Sequence, residues 1–425
     1  MQISQVRQNH PSTLPSLKSI TNKQHHPQLY VYPIKSLRGI PLSKASLTRT
    51  GFHHDRRFML LKATQGEADD TPTLKNMHVP HFPEMALFTT EFIYPDGDDA
   101  PDRILVTYHP PDPTSEKHSL EIPLHPSTHG LRALNIDMHR SPTQAYDMGT
   151  AYNDWFSARF GYDVVLAYLG GHARPVLGTF APGKHRAHRA EKLASGRASL
   201  EGVLSTRALV VLAAVTLLLN FAAGLGPGAK VHWASSLAAT AVAGVVSYAL
   251  VWRLRRVDEE GEGDGDGDEE TITFADAAPY LLTSQTSLDN VSARLAGDAR
   301  ADMTKFRPNI VVSGAAGAFE EDFWAVLTVG DAEAKVKAKL LLTANCVRCQ
   351  SVNVDYATGK MGTGEAGTVL KKLMNDRRVD TGAKYSPVFG RYVFLDPGSE
   401  NSVVRVGDAV EVVRRMKERA VFGEI

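Results

Sequence analysis

The sequence is poor in cysteine: 425 residues hold two thiols, Cys346 and Cys349, three positions apart. Two cysteines cannot cross-link a secreted protein of this size, so a disulfide scaffold is excluded and a reducing compartment is expected. The single Asn-x-Ser, Asn290-Val291-Ser292, then reads as a chance match. Net charge is also missing. Forty-seven Lys and Arg balance 47 Asp and Glu, which leaves no overall field for nucleic acid and confines electrostatics to local patches. Residues 1–28 contain no apolar run, which argues against a secretory signal and for a disordered tail. No acid precedes Asp55, a transit-peptide trait, but no amphipathic Arg-bearing helix accompanies it.

At 43% apolar and 22% charged, the chain is globular in composition and longer than one core usually organises. Folded sequence is expected from Leu29. LYVYPI, ASLTRTGF, RRFMLL, PEMALFTTEFIY, DRILVTYH and HSLEIPL are short β-rich runs split by turn residues, the pattern of a barrel or sandwich over 29–170. AYNDWFSARFG changes to helical spacing and is closed by Gly161, after which DVVLAYL returns to a strand. A second mixed region is expected over 271–415, with Ser287 as the N-cap of a helix and strands at FRPNIVVSG, VLTVG, AKVKAKLLLT and SVNVDYATG. Residues 416–425 are left as a tail. The fold class is mixed, β-rich α+β.

Residues 171–270 separate the two regions. Their first part is basic, and its Arg174, Lys184, Arg186, Arg189, Lys192 and Arg197 are placed to rest on anionic headgroups. Residues 208–225 and 233–252 are uncharged and about long enough to cross a bilayer. They predict a transmembrane hairpin, with Ala239 and Ala243 allowing close helix approach. Arg207 before it and Arg253, Arg255 and Arg256 after it predict both termini in the cytosol, at the mitochondrial outer membrane or the endoplasmic reticulum. The acidic run 258–270 lacks the Gly and Glu of an EF-hand loop and reads as a solvated linker.

Four readings of Cys346-Val347-Arg348-Cys349 compete. Structural zinc needs a second ligand pair, which the sequence does not supply. A thioredoxin-like dithiol needs a helix after it, whereas an extended run is expected here. Two ordinary buried thiols remain open, as does one thiolate ligand to a soft, high-valent metal beside Arg348.

YPIKSLRG (32–39), DRRFML (55–60), FRPNIVVSG (306–314), EEDFW (320–324), NCVRC, NVDYATG, SPVFGRY (386–392) and VGDAVEV (406–412) together resemble the MOSC superfamily. Within it they are most similar to a fungal-type mitochondrial amidoxime-reducing component. The resemblance implies an N-terminal MOSC β-barrel domain, a C-terminal MOSC β-barrel domain and a molybdenum-pterin cofactor. It implies Cys349 as the molybdenum ligand with Cys346 as a neighbour, and Lys35, Ser36, Arg57, Arg307, Asn309, Arg348 and Tyr392 as cofactor contacts. Two departures stand out: Ala277 and Ala278 replace small hydroxyl residues, and LKNMH (74–78) replaces a Thr-x-Arg, so that Asn76 or His78 is called on to remake lost hydrogen bonds.

The implied activity is two-electron reduction of an N-hydroxylated substrate such as an amidoxime or hydroxylamine. A b-type cytochrome and its flavin reductase would supply electrons, membrane lipid would hold the chain in their plane, and Asp355 is offered as a proton relay. The alternative is a cofactor-binding or sulfur-carrier module that acts with a pyridoxal-phosphate desulfurase in trans.

Overall fold

The computed structural model describes residues 6–7, 29–64, 72–95, 100–184, 270–331 and 337–422. Described residues on both sides of the insert belong to one compact unit. Its larger sheet runs in the order Val6–Arg7, Ala409–Arg415, Trp324–Gly330, Ala338–Val347, Val388–Leu395, Tyr280–Ser284, Ile310–Val312, Leu29–Val31, Ile40–Leu42. The first strands of the N-terminal region therefore complete a sheet built mainly from the C-terminal one, with Leu29 opposite Ile310. Tyr280–Ser284 and Ile310–Val312 are parallel, and the crossover between them contains the helix Gln285–Ser292, as parallel pairing requires. Leu29, Val31, Leu282, Ile310, Leu327, Leu340 and Val393 pack around a fully buried Trp324.

The N-terminal region adds a five-stranded sheet, ordered Ala133–Met138, Ser141–Asp147, Val164–Tyr168, Phe58–Thr64, Thr73–Asn76, and a three-stranded one, ordered His118–Pro123, Arg103–Tyr108, Phe88–Ile93. Every second residue of Ala133–Met138 is buried, the period of a half-buried strand. Phe58, Leu60, Phe88, Ile104, Val106 and Leu166 form one core. The helix Thr150–Phe160 adds Phe156 and Phe160, and Phe160 stacks on Phe88 at 4.8 Å. That helix stops where the sequence places its end: Gly161 adopts φ 76° and its amide caps Ser157 O at 2.8 Å.

The β-rich α+β expectation holds for these regions, while the inserted transmembrane hairpin does not. Among the described residues no helix is long and apolar enough to cross a membrane; the longest that carries a core face, Thr150–Phe160, has 11 residues, about 17 Å at 1.5 Å per residue, against roughly 30 Å of bilayer hydrocarbon. The apolar runs 208–225 and 233–252 lie outside the described residues. Length and lack of charge are necessary for a crossing and insufficient for one. The membrane plane and cytosolic termini derived from the hairpin fall with it.

Two smaller expectations also change. Ser284 is the N-cap of the helix Gln285–Ser292, and Ser287 lies inside it, fully buried, donating to Glu321 Oε2 at 2.8 Å. Arg174 does not face headgroups: it is fully buried, and its guanidinium donates to the carbonyls of Thr273 (3.0 Å), Met138 (3.1 Å) and Ala275. Burial lowers its pKa to about 10. Arg174–Pro175 pairs with Thr271–Ile272, so the chain leaves toward residues 185–269 and returns from them through adjacent strands.

Candidate cofactor site

The segment 32–39 carries the chain from the large sheet to the strand Phe58–Thr64. Lys35 N–H donates to Phe58 O at 2.8 Å and Phe58 N–H to Pro33 O at 3.0 Å. Tyr32 is the hub of this crossing. Its amide donates to Asp55 Oδ1 at 2.8 Å, its carbonyl accepts from Arg56 N at 2.7 Å, and the guanidiniums of Arg56 and Arg307 lie over its ring at 4.8 and 4.4 Å. Burial drives its phenol pKa far upward. Gly39 is required here, because a Cβ at that position would lie 2.5 Å from the Tyr32 ring. Lys35 is buried, donates to Phe274 O at 3.0 Å and pairs with Asp276, yet burial still lowers its pKa. Ser36, buried beside it, has φ 71°.

Of the adjacent arginines in DRRF, the structure turns Arg56 toward this cluster. Arg56 pairs with Asp55 and donates to Asn309 Oδ1 at 3.2 Å and Arg307 O at 3.4 Å. Arg57, the sequence-derived candidate, donates instead to Gly170 O. Arg56 has φ 52°, so the strict alternation that decides which neighbour faces which side does not apply there. Arg307, at φ 56°, donates to Leu37 O at 2.7 Å, and burial lowers its pKa. Left-handed backbone at three site residues, each costing on the order of 1–3 kcal/mol, marks a constrained region. Asn309 stitches the sheet: its side chain accepts from Leu281 N–H at 3.1 Å and donates to Tyr30 O at 3.2 Å.

Cys346 is the next-to-last residue of the strand Ala338–Val347, and Cys349 follows two residues past its end. Its pairing with Val388–Leu395 shifts register between Leu342 and Ala344 and again between Asn345 and Val347; such bulges re-aim side chains. Cys346 is buried and Cys349 exposed. Arg348 donates to Cys346 Sγ at 2.9 Å and Phe306 O at 2.7 Å, linking this strand to the residue before Arg307. Tyr392 hydrogen-bonds Cys346, and burial together with that thiol raises its phenol pKa. Cys349 Sγ lies 3.3 Å from Ser351 Oγ, ahead of a short 3-10 turn, Gln350–Asn353, rather than the expected extended run. Asp355 is engaged in its own turn, accepting Ala357 N–H at 2.8 Å.

Three further placements bear on the departures noted above. Ala277 and Ala278 are buried with Phe180, Ala344 and Phe394. Asn76 is occupied, donating to Asp137 O at 2.7 Å. His78 forms a 2.6 Å nitrogen–nitrogen contact with His81 and is held below the usual imidazole pKa by burial, His81 and Lys35. Behind the cysteines, Arg391, missed in the sequence, donates to Asn345 Oδ1 at 2.7 Å, and Asn345 donates to Asp380 Oδ2 at 2.7 Å. No sequence period announces that pair, because both residues are fully buried at strand positions where the pattern alone calls for apolar side chains.

Electrostatically, Lys35 and Arg56 have carboxylate partners, whereas Arg307 and Arg348 have none among the described residues. Each keeps a buried N–H without an acceptor, on Arg307 Nη2 and Arg348 Nε. Two guanidiniums with spare donors, Arg348 buried and Arg307 half-buried, and an exposed thiol next to Arg348 suit an anionic group that carries a thiophilic metal.

Comparison with known proteins gives the same direction. Residues 269–411 match the MOSC domain and residues 26–163 the MOSC N-terminal beta barrel domain. The chain is 36% identical over 147 residues to mitochondrial amidoxime-reducing component 1 of Mus musculus, a match covering 33% of this chain and 38% of that protein. The Homo sapiens protein of the same name is 35% identical over 147 residues (33% and 39%). Mitochondrial amidoxime reducing component 2 of Rattus norvegicus is 38% identical over 141 residues (33% and 38%). The chain thus spans 38% to 39% of the length of these relatives, and "mitochondrial" belongs to their names. With both domains matched in order, the chain belongs to the MOSC family, as a MOSC protein with an N-terminal MOSC barrel domain that resembles the amidoxime-reducing components.

Proposed function

We propose that the chain is a molybdenum-cofactor reductase of N-hydroxylated compounds, amidoximes or hydroxylamines. The observation that carries this reading is the exposed Cys349 thiol together with two guanidiniums that lack carboxylate partners, the buried Arg348 next to it in the chain and the half-buried Arg307, each with a buried N–H that finds no acceptor. Cys349 is the metal ligand. Arg307 and Arg348 hold the anionic pterin, with Lys35, Ser36 and Arg56 around them. Asn309 positions Arg56, and Tyr392 acts through Cys346 rather than on the cofactor. When bound, the cofactor supplies the two electrons that reduce the substrate's N–O bond.

The chain's own residues do the rest. Tyr32 keeps Arg56 and Arg307 in place through its ring. The His78–His81 pair, whose Nε2 and Nδ1 lie 2.6 Å apart within range of the Lys35 and Asp276 charges, is assigned the proton-supplying role in place of Asp355. A b-type cytochrome with its flavin reductase fits as electron source. To test the reading, the full chain is produced in a host that makes the pterin, analysed for molybdenum, and assayed for amidoxime reduction with a chemical electron donor. Near-stoichiometric metal with turnover is expected. Metal-free protein overturns the reading, and metal without turnover removes the reductase in favour of a carrier.

A further inference from the structure

A polar cavity lies on the side of the barrel to which Arg57 turns. It has a volume of about 160 Å³ and is lined by Thr48, Thr50, His53, His54, Arg57, His125 and Thr273, with Phe52, Leu124 and Tyr168 as its apolar walls. That volume holds several waters or a four-oxygen ion. No carboxylate lines it, and among the described residues no cluster suited to a metal ion exists. The Arg57 guanidinium is a fixed positive charge with five donors, of which one is spent on Gly170 O.

Two observations go beyond a mere gap. Thr273 is 3% exposed and its hydroxyl has no hydrogen-bond partner, an arrangement that costs about 1–3 kcal/mol unless a ligand or water completes it. His54 is held at φ 67° with its ring 5.1 Å from that of His125 and 6.1 Å from that of His53. Left-handed backbone at a non-glycine residue collects at binding sites.

We propose that this cavity binds a small tetrahedral oxyanion, with Arg57, His54, His125 and the Thr273 hydroxyl as its donors. The charge state of the pocket agrees with that assignment. Burial, then His125, His53 and Arg57, push His54 down to about 4, so it is neutral in the empty pocket. A bound dianion opposes the neighbouring positive charges and draws the imidazole back toward its ordinary 6.5. Proton uptake then accompanies binding, and affinity rises as the pH falls below that value.

Sulfate is the suitable probe, because its charge does not change between pH 5 and 8. Calorimetric titration of the full chain at constant ionic strength is expected to give saturable binding that is tighter at pH 5.5 than at pH 7.5. Affinity should fall about tenfold in Thr273→Val, which removes one donor to a charged group. This variant should still fold, since the hydroxyl it deletes has no partner in the protein. His125→Gln, at an exposed position, should weaken binding by removing one donor. Absence of saturable binding in the wild type overturns the proposal. So does binding that Thr273→Val leaves unchanged and Arg307→Gln abolishes, which puts the ion in the cofactor cluster instead.

Discussion

Arg348 donates to the sulfur of Cys346 at 2.9 Å, while Cys349, one residue further on, is exposed. One guanidinium thus separates two thiols of opposite character. Arg348 and Tyr392 hold Cys346 in the interior, whereas Cys349 stands at the surface with its sulfur 3.3 Å from Ser351 Oγ.

The two cysteines are therefore expected to respond differently. Cys349→Ser should lose nearly all molybdenum and amidoxime reduction. Cys346→Ser keeps a hydroxyl for Arg348 and should retain most of the metal, with activity lowered by about tenfold at most, the lower end of the effect of groups behind a ligand. Metal analysis of both variants beside the wild type checks this, and equal loss in the two would contradict the assignment.

Arg56→Lys keeps the charge but cannot reproduce the fork that reaches Asp55, Asn309 Oδ1 and Arg307 O. A stability loss of about 2 kcal/mol is expected, the scale of hydrogen bonds to charged groups, together with reduced molybdenum content. Urea unfolding and metal analysis measure the two effects separately.

Gly39→Ala places a methyl 2.5 Å from a Tyr32 ring carbon. Overpacking of this kind costs about 1–3 kcal/mol, and displacement of the ring also moves the support of Arg56 and Arg307. Lower thermal stability with impaired cofactor loading is expected, and a wild-type-like variant on both counts would show that the ring can yield.

Glu321 is fully buried, and burial raises its pKa from 4.5 to about 7. Below pH 4.5 folded and unfolded chains both hold this proton; between 4.5 and 7 only the folded chain does. Its contribution to stability is therefore complete at low pH and is lost as the pH rises through that window, by about 3 kcal/mol in total. Glu321→Gln should flatten this part of the stability–pH profile and leave the protein more stable than the wild type at pH 8, as followed by denaturant unfolding.

Much of the architecture could be read in one dimension. Period-two burial in Ala133–Met138 and the Gly161 stop are local properties of short stretches, set by side-chain alternation and by the backbone freedom of glycine. Lys35, Arg307, Asn309 and Arg348 stand out in the sequence as candidates, through the order of their motifs in the chain. That Arg56 rather than Arg57 turns toward Tyr32, Asn309 and Arg307 is not legible there, because it depends on a left-handed residue at the strand entrance. Ser287 looked like a cap because Ser favours caps, and only its buried contact with Glu321 reveals another role.

By itself the sequence determined the β-rich class and the presence of two thiols in a single motif, since these follow from local periodicity and covalent spacing, while the order of the two MOSC regions comes from the resemblance of its motifs. Tertiary structure alone decided that Leu29–Val31 completes a sheet whose other strands mostly lie beyond residue 280, and that Tyr32 carries arginines from positions 56 and 307. It also decided which thiol is buried and which accessible. The reason is that burial and charge pairing depend on residues hundreds of positions apart, and a linear pattern holds no record of which distant groups share a dry interior.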